Sequence, residues 1–125
     1  IDLSINGNKL SSLTPYLCEL SKLQSLSASY NQLTHLPKEI GQLKGLKYLH
    51  LDENKIVELP ESMILLEELV AINLQKNPIA QQIPDFIYSL PNVQTIKFKK
   101  FDHPTYVTKR HLYKEYLEEY LKKQC

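Results

Sequence analysis

The residues best suited to chemistry lie together in one short stretch of the chain. Tyr48, His50, Asp52 and Glu53 carry phenol, imidazole and carboxylate groups, which are side chains that bind cations or transfer protons. The four histidines of the chain have neither metalloprotease nor zinc-finger spacing. Because His50, Asp52 and Glu53 on an exposed strand are normally just hydrated, we expect no resident metal and no cofactor.

Catalysis through a nucleophile has no matching motif either. The chain contains no Gly-x-Ser-x-Gly sequence, and its three glycines do not form a phosphate-binding loop. Cys18 lacks an evident histidine partner. The sequence therefore predicts a protein that is not an enzyme.

A 23-residue repeat determines where these side chains are placed. The alternation of Leu26 and Ala28 with Ser27 and Ser29 predicts a short strand with apolar side chains on its inner face. One unit cannot bury that face alone. Stacked units form a continuous core, in which each fully buried leucine or isoleucine contributes roughly 1.5–3 kcal/mol.

An asparagine recurs at the same 23-residue interval. Each copy lies five positions after one apolar residue and two before another, and the four copies are Asn8, Asn31, Asn54 and Asn77. The chain leaves a strand at this point, so an inward amide can satisfy backbone groups exposed by the turn. Repetition at one geometric position is what a packing role predicts. We therefore expect these four residues to be structural and to form a hydrogen-bonded column.

These repeats resemble a known family. The pattern L-x-L-x-x-N-x-L is the leucine-rich repeat signature. Residues 36–43 and 59–66 resemble the L-P-x-x-I-x-x-L half of the 23-residue repeats in Ras-suppressor-type scaffolds and in surface or secreted proteins of pathogenic bacteria. The resemblance implies an α/β fold: a right-handed solenoid with short parallel strands on the concave face, short helices or 3-10 turns on the convex face, and a C-terminal capping helix.

The predicted division of the chain follows the repeat. Residues 1–98 are expected to form the solenoid, with four repeats and a partial fifth strand, and residues 99–125 a connector and an amphipathic helix. Thr108 is the predicted N-cap. We expect the helix to cap the last repeat, with partner binding or dimerisation as its alternative role. An apolar stripe at a spacing of four indicates this helix: Leu112, Tyr113, Tyr116, Leu117, Tyr120 and Leu121.

Function is expected on the outward side of the strands. Leucine-rich repeats form an extended concave surface that is commonly used for recognition, and exposed aromatic side chains there provide contact area with a polar end. We expect a non-catalytic protein-protein interaction module whose protein partner is unspecified. The alternative is a self-assembling structural or surface protein that uses the solenoid end or the C-terminal helix. The candidate binding residues are Tyr30, Tyr48, His50, Asp52, Glu53, Asn73, Gln75, Lys76, Lys97 and Lys99.

Charge is distributed unevenly along the chain. Residues 1–94 contain 7 basic and 10 acidic side chains, whereas residues 95–125 contain 8 and 4. The basic end has no recognisable nucleic-acid motif, so we expect a solvated face and no nucleic-acid partner. No apolar run is long enough to span a membrane.

The two cysteines and the start of the chain are compatible with more than one cellular compartment. Cys18 and Cys125 are expected at opposite ends of the solenoid and therefore unpaired, and both cytoplasmic and surface or secreted locations are compatible with this sequence. Because Ile1 opens inside a predicted strand, we expect a capping segment upstream of it.

Overall fold

The fold is a stack of similar coils. The computed structural model describes residues 1–98 and 108–124. Five short strands form one parallel sheet in chain order: β1 (Asp2–Ser4), β2 (Ser25–Ser27), β3 (Tyr48–His50), β4 (Ala71–Asn73) and β5 (Thr95–Lys97). The predicted α/β leucine-rich repeat solenoid is confirmed.

The strands pair at equivalent positions of successive repeats. Leu26 of β2 is opposite Leu3 and Leu49, and Ile72 of β4 is opposite Leu49 and Ile96. The middle three of these side chains are at most 1 % exposed. The inward positions of the sheet thus form the apolar layers that the 23-residue interval predicts.

Short 3-10 helices form the side of the solenoid opposite the sheet. In repeats two and three the residue before the helix is Pro37 or Pro60, each in an extended conformation, so the ring fixes the entry angle of the chain. Repeat four differs because its extra residue is accommodated by an additional 3-10 turn and a short α-helix, α1 (Asp85–Tyr88). The 3-10 helices of the repeats are Pro15–Glu19, Lys38–Gln42, Glu61–Leu65 and Pro78–Gln81.

Asparagine side chains connect successive coils. The Asn54 side-chain oxygen accepts a hydrogen bond from the Leu33 N–H at 3.0 Å, and its amide nitrogen donates to the carbonyls of Ala28 at 2.9 Å and Leu51 at 3.0 Å. One amide therefore satisfies backbone groups of its own coil and of the preceding coil. Asn31 and Asn77 repeat this arrangement; we call these three residues the asparagine ladder.

Asn8 belongs to the same column, but its side chain is exposed. Its backbone N–H donates to the Asn31 side-chain oxygen at 2.9 Å. Its amide nitrogen donates within its own coil, to the carbonyls of Ile5 at 2.8 Å and Asn6 at 3.2 Å.

The C-terminal helix α2 (Tyr113–Lys123) packs on the 3-10 helix of repeat three. The Tyr113 hydroxyl donates to the Ile64 carbonyl at 3.0 Å, and Lys123 forms an ion pair with Glu61 at 3.2 Å. Burial first, and then the nearby Glu67 carboxylate, raise the pKa of Tyr113 to about 12. Four residues of the predicted stripe pack against the core, Tyr113, Tyr116, Leu117 and Tyr120, whereas Leu121 is exposed.

The start of the helix attaches to repeat four. Lys109 forms an ion pair with Asp85 at 2.9 Å, and the Arg110 guanidinium donates to the Val93 carbonyl. The predicted N-cap at Thr108 was wrong, because a 3-10 turn at residues 110–112 precedes the helix and neither element has a side-chain cap. The division at residue 98 stays a prediction, since the connector lies outside the described residues.

The asparagine ladder gives a direct test of the fold. Asn54→Ala is expected to lower the free energy of unfolding by about 3 kcal/mol, because several buried backbone groups lose their partners together. Asn8→Ala is the matched control and should cost less than about 1 kcal/mol, since its partners are exposed to water. Urea unfolding of both variants measures the difference, and equal losses would contradict the inter-coil role.

Close approach of two coils at Gly41 gives a second test. A Cβ at Gly41 would clash with the Ser62 carbonyl oxygen of the next 3-10 helix, so Gly41→Ala is expected to destabilise by about 1–3 kcal/mol. A Cβ at Gly45 would lie 3.7 Å from its nearest neighbour, the Leu23 carbonyl oxygen, which is an ordinary contact. Gly45→Ala should therefore leave the thermal midpoint nearly unchanged, and a similar fall in both variants would argue against the close coil contact.

Candidate functional site

The outward side of β3 forms a ridge on the strand face. Tyr48 is 44 % exposed and lies in register between Ser25 and Ala71. His50 is half-buried and lies between Ser27 and Asn73. Since each of these neighbours is smaller, repeat three stands above the strands on both sides. The ridge follows from strand register, which places every 23rd residue side by side.

A hydrogen-bond network holds the residues beside this ridge. The Asn6 side-chain oxygen accepts from the Ser27 hydroxyl at 2.8 Å and from the Ser29 N–H at 2.6 Å, and the Ser29 hydroxyl donates to an Asp52 carboxylate oxygen at 2.5 Å. Ser29 is buried by these contacts. Asn6, Ser29 and Asp52 are spaced by the 23-residue interval, and the structure shows that they bond to one another.

The residue before each repeated asparagine has a left-handed backbone. Its φ angle is 69° at Gly7, 56° at Tyr30, 59° at Glu53 and 62° at Lys76. This conformation suits glycine but costs other residues roughly 1 kcal/mol or more, and it is rare for bulky side chains. Tyr30 is nevertheless 63 % exposed, so burial of its ring does not explain its presence. Among these four positions, Gly7 is the only residue whose type indicates a left-handed turn.

Charge varies along the strand face. Asp52 and Glu53 lie on repeat three, in the middle of the sheet, whereas Lys76 is exposed on repeat four and Lys97 lies on β5. On repeat four the Asn73 side-chain oxygen accepts the Gln75 N–H at 3.0 Å. Nine of the ten candidate binding residues lie on a strand or in the turn directly after it, and the tenth, Lys99, lies outside the described residues.

Cys18 is a core residue. Its side chain is 1 % exposed, and burial first, followed by the nearby Glu39 carboxylate, raises the pKa of the thiol to about 11. The thiol is therefore protonated near neutral pH and is a poor nucleophile. Cys125 lies outside the described residues, so its predicted separation from Cys18 stays a prediction.

Two further features concern ligands and membranes. Within residues 1–98 and 108–124, no group of three or more histidine, cysteine, aspartate or glutamate side chains is arranged to hold a metal ion. His50, Asp52 and Glu53 therefore do not converge on one point. In the same part of the chain, no helix has the length and apolar character needed to cross a membrane.

The chain is similar to known repeat proteins. The family model for a leucine-rich repeat region matches residues 2–116. The structure of a leucine-rich repeat protein from Leptospira interrogans is similar, with 36 % sequence identity over 75 % of this chain and a TM-score of 0.67; the match covers 24 % of that longer chain. No curated protein matches. Because the family model spans nearly the whole sequence, the chain belongs to the leucine-rich repeat family.

Proposed function

We propose that this protein is a non-catalytic protein-protein interaction module that binds its partner through the concave strand face. The left-handed turn column, residues Gly7, Tyr30, Glu53 and Lys76, carries the argument. Three repeats in succession hold a tyrosine, a glutamate and a lysine where glycine fits without strain. Strain of this kind persists where surrounding structure enforces it, and it clusters at functional sites.

The aromatic residues are the proposed anchors of the partner. Tyr30 is 63 % and Tyr48 44 % exposed, and both belong to inner repeats. Tyrosine contributes a large rigid contact area and a hydroxyl, and it is enriched among residues that dominate binding energy. A partner that covered both rings would bury apolar surface that is now in water.

Charged side chains on the strand face would determine the orientation of the partner in the proposed complex. A partner would place basic or donor groups opposite Asp52 and Glu53 and acidic groups opposite Lys76 and Lys97. The Ser29 hydroxyl fixes one oxygen of the Asp52 carboxylate, so little side-chain freedom remains to be lost there on binding. Such complementary potentials mainly determine specificity and association rate.

The binding proposal predicts that Tyr30→Gly weakens partner binding without destabilising the fold. Tyr30→Gly removes the ring and relieves the left-handed strain, so the free energy of unfolding is expected to stay equal or rise by up to about 1 kcal/mol. Loss of an anchor ring typically costs about 2 kcal/mol of binding, or roughly thirtyfold in affinity. Affinity capture from a native lysate with quantitative mass spectrometry, followed by titration of the captured protein, measures this loss.

Tyr16→Ala is the matched control for this experiment. Tyr16 is an even more exposed tyrosine, but it lies on the first 3-10 helix, opposite the strands, so its removal should leave capture unchanged. Tyr48→Ser should act like Tyr30→Gly. If Tyr30→Gly and Tyr48→Ser retain every protein that the unaltered chain captures, the concave face is not the binding surface.

A further inference from the structure

An open cavity crosses the first three repeats at the entries to their 3-10 helices. Three nearly buried leucines of successive repeats line it, Leu13, Leu36 and Leu59, which are 7 %, 4 % and 7 % exposed. Together with Pro37 and Pro60 they give the cavity an apolar surface, and its volume is about 630 Å³. None of the lining residues lies on a strand, so this cavity is separate from the proposed binding face.

A second cavity continues the first one to the C-terminal helix. It has a volume of about 370 Å³ and shares Leu59 and Glu61 with the first cavity. Pro84 of repeat four and Tyr116 and Tyr120 of α2 also line it. Since adjacent coils are ~4.8 Å apart, the lining from repeat one to repeat four spans roughly 15 Å, the length of about four to five extended residues. We call the two cavities together the leucine-proline groove.

Carboxylates outnumber lysines along the leucine-proline groove. Its lining contains two lysines, Lys38 and Lys123, and five carboxylates, which are Glu39, Glu58, Glu61, Asp85 and Glu119. Ion pairs with lysine neutralise Glu61 and Asp85. Within the part of the chain that the structure describes, the other three carboxylates form no ion pair. The groove therefore favours a cationic ligand.

Glu39 is an acceptor at a position where the fold uses a donor. In repeat three the equivalent residue is Ser62, whose hydroxyl donates to the Lys38 carbonyl at 2.5 Å. An ionised glutamate only accepts hydrogen bonds, so Glu39 cannot make the equivalent bond to the Pro15 carbonyl. Among the described residues, one of its carboxylate oxygens is buried without a hydrogen-bond partner, which is costly for a charged group. A cationic donor beside this carboxylate would offset that cost.

The cation that fits this groove is a side chain and not a metal ion. Within residues 1–98 and 108–124, no three histidine, cysteine or carboxylate groups are arranged to hold a metal ion, and each cavity is far larger than one ion. Arginine and lysine have a long apolar stem and a charged end, which matches leucines that lie beside carboxylates. The arginine guanidinium also stacks on aromatic rings, and Tyr116 and Tyr120 provide such rings.

We propose that the leucine-proline groove binds an extended basic segment of a protein partner. An arginine or lysine of this segment pairs with Glu39 and Glu58, and its apolar residues cover Leu36 and Leu59. A second basic side chain lies beside Glu119 and the tyrosine rings of α2. This surface is additional to the strand face, so one chain can hold two protein segments at the same time.

Selection from a random displayed peptide library tests the chemistry of the ligand. Enriched peptides are expected to carry arginine or lysine beside apolar residues, and fluorescence anisotropy of one synthetic enriched peptide measures its affinity. Glu39→Ser and Glu58→Ser should each weaken binding about tenfold. Glu68→Ser is the matched control, because Glu68 is exposed and does not line the groove, and it should change affinity by less than about twofold. Neutral or acidic enriched peptides, or equal binding by all three variants, would overturn the proposal.

Thermal unfolding of the same variants distinguishes a lost ligand contact from a damaged fold. Glu39→Ser introduces the hydrogen bond that Ser62 makes in repeat three, so its thermal midpoint should equal or exceed that of the unaltered chain. Glu58 is exposed, so Glu58→Ser should keep its midpoint as well. If Glu39→Ser unfolds at a lower temperature, the affinity of Glu58→Ser decides the outcome.

Two further measurements identify the source of the cation and its location. Spermine is the probe for a free organic cation, and it should bind much more weakly than the peptide because it has no apolar side chains. Equal affinity for spermine would overturn the peptide proposal. Tyr30→Gly should leave the peptide affinity unchanged, and a loss there would place the peptide on the strand face. The groove and the proposed function can therefore fail separately.

Discussion

Hydrogen bonds of the asparagine ladder hold successive coils of this solenoid together. Each coil must leave its strand and turn inside a densely packed stack, where unpaired backbone groups are costly. Asn54 meets this requirement for two coils at once. The amide therefore fixes both the spacing of the coils and the path of the chain after each strand, and the leucine layers pack around that path.

The same turn determines what the strand face presents. Ahead of each asparagine the backbone is left-handed, and one side chain per repeat lies at this turn. In three repeats this residue is Tyr30, Glu53 or Lys76, and together with the ridge of β3 these side chains give the concave face its contour and charge. The same turn in each repeat thus carries a constant asparagine, which bonds in the core, and a variable residue before it.

The C-terminal helix adds a further layer to the stack. It packs on the 3-10 helix of repeat three through the Tyr113 hydroxyl and the ion pair of Lys123 with Glu61. Leu20 of the first coil is 48 % exposed, whereas the equivalent Leu43 and Leu66 are buried.

Periodicity in the sequence predicts the repeat, the inward leucines and the asparagine column, because every coil enforces this periodicity locally. Alternation along a strand also predicts that Tyr48 and His50 lie on the outer face. The burial of Ser29, the left-handed backbone of Tyr30 and the packing of α2 on repeat three arise in the tertiary structure. Each of these depends on contacts between residues 20 or more positions apart, whose geometry no local pattern encodes.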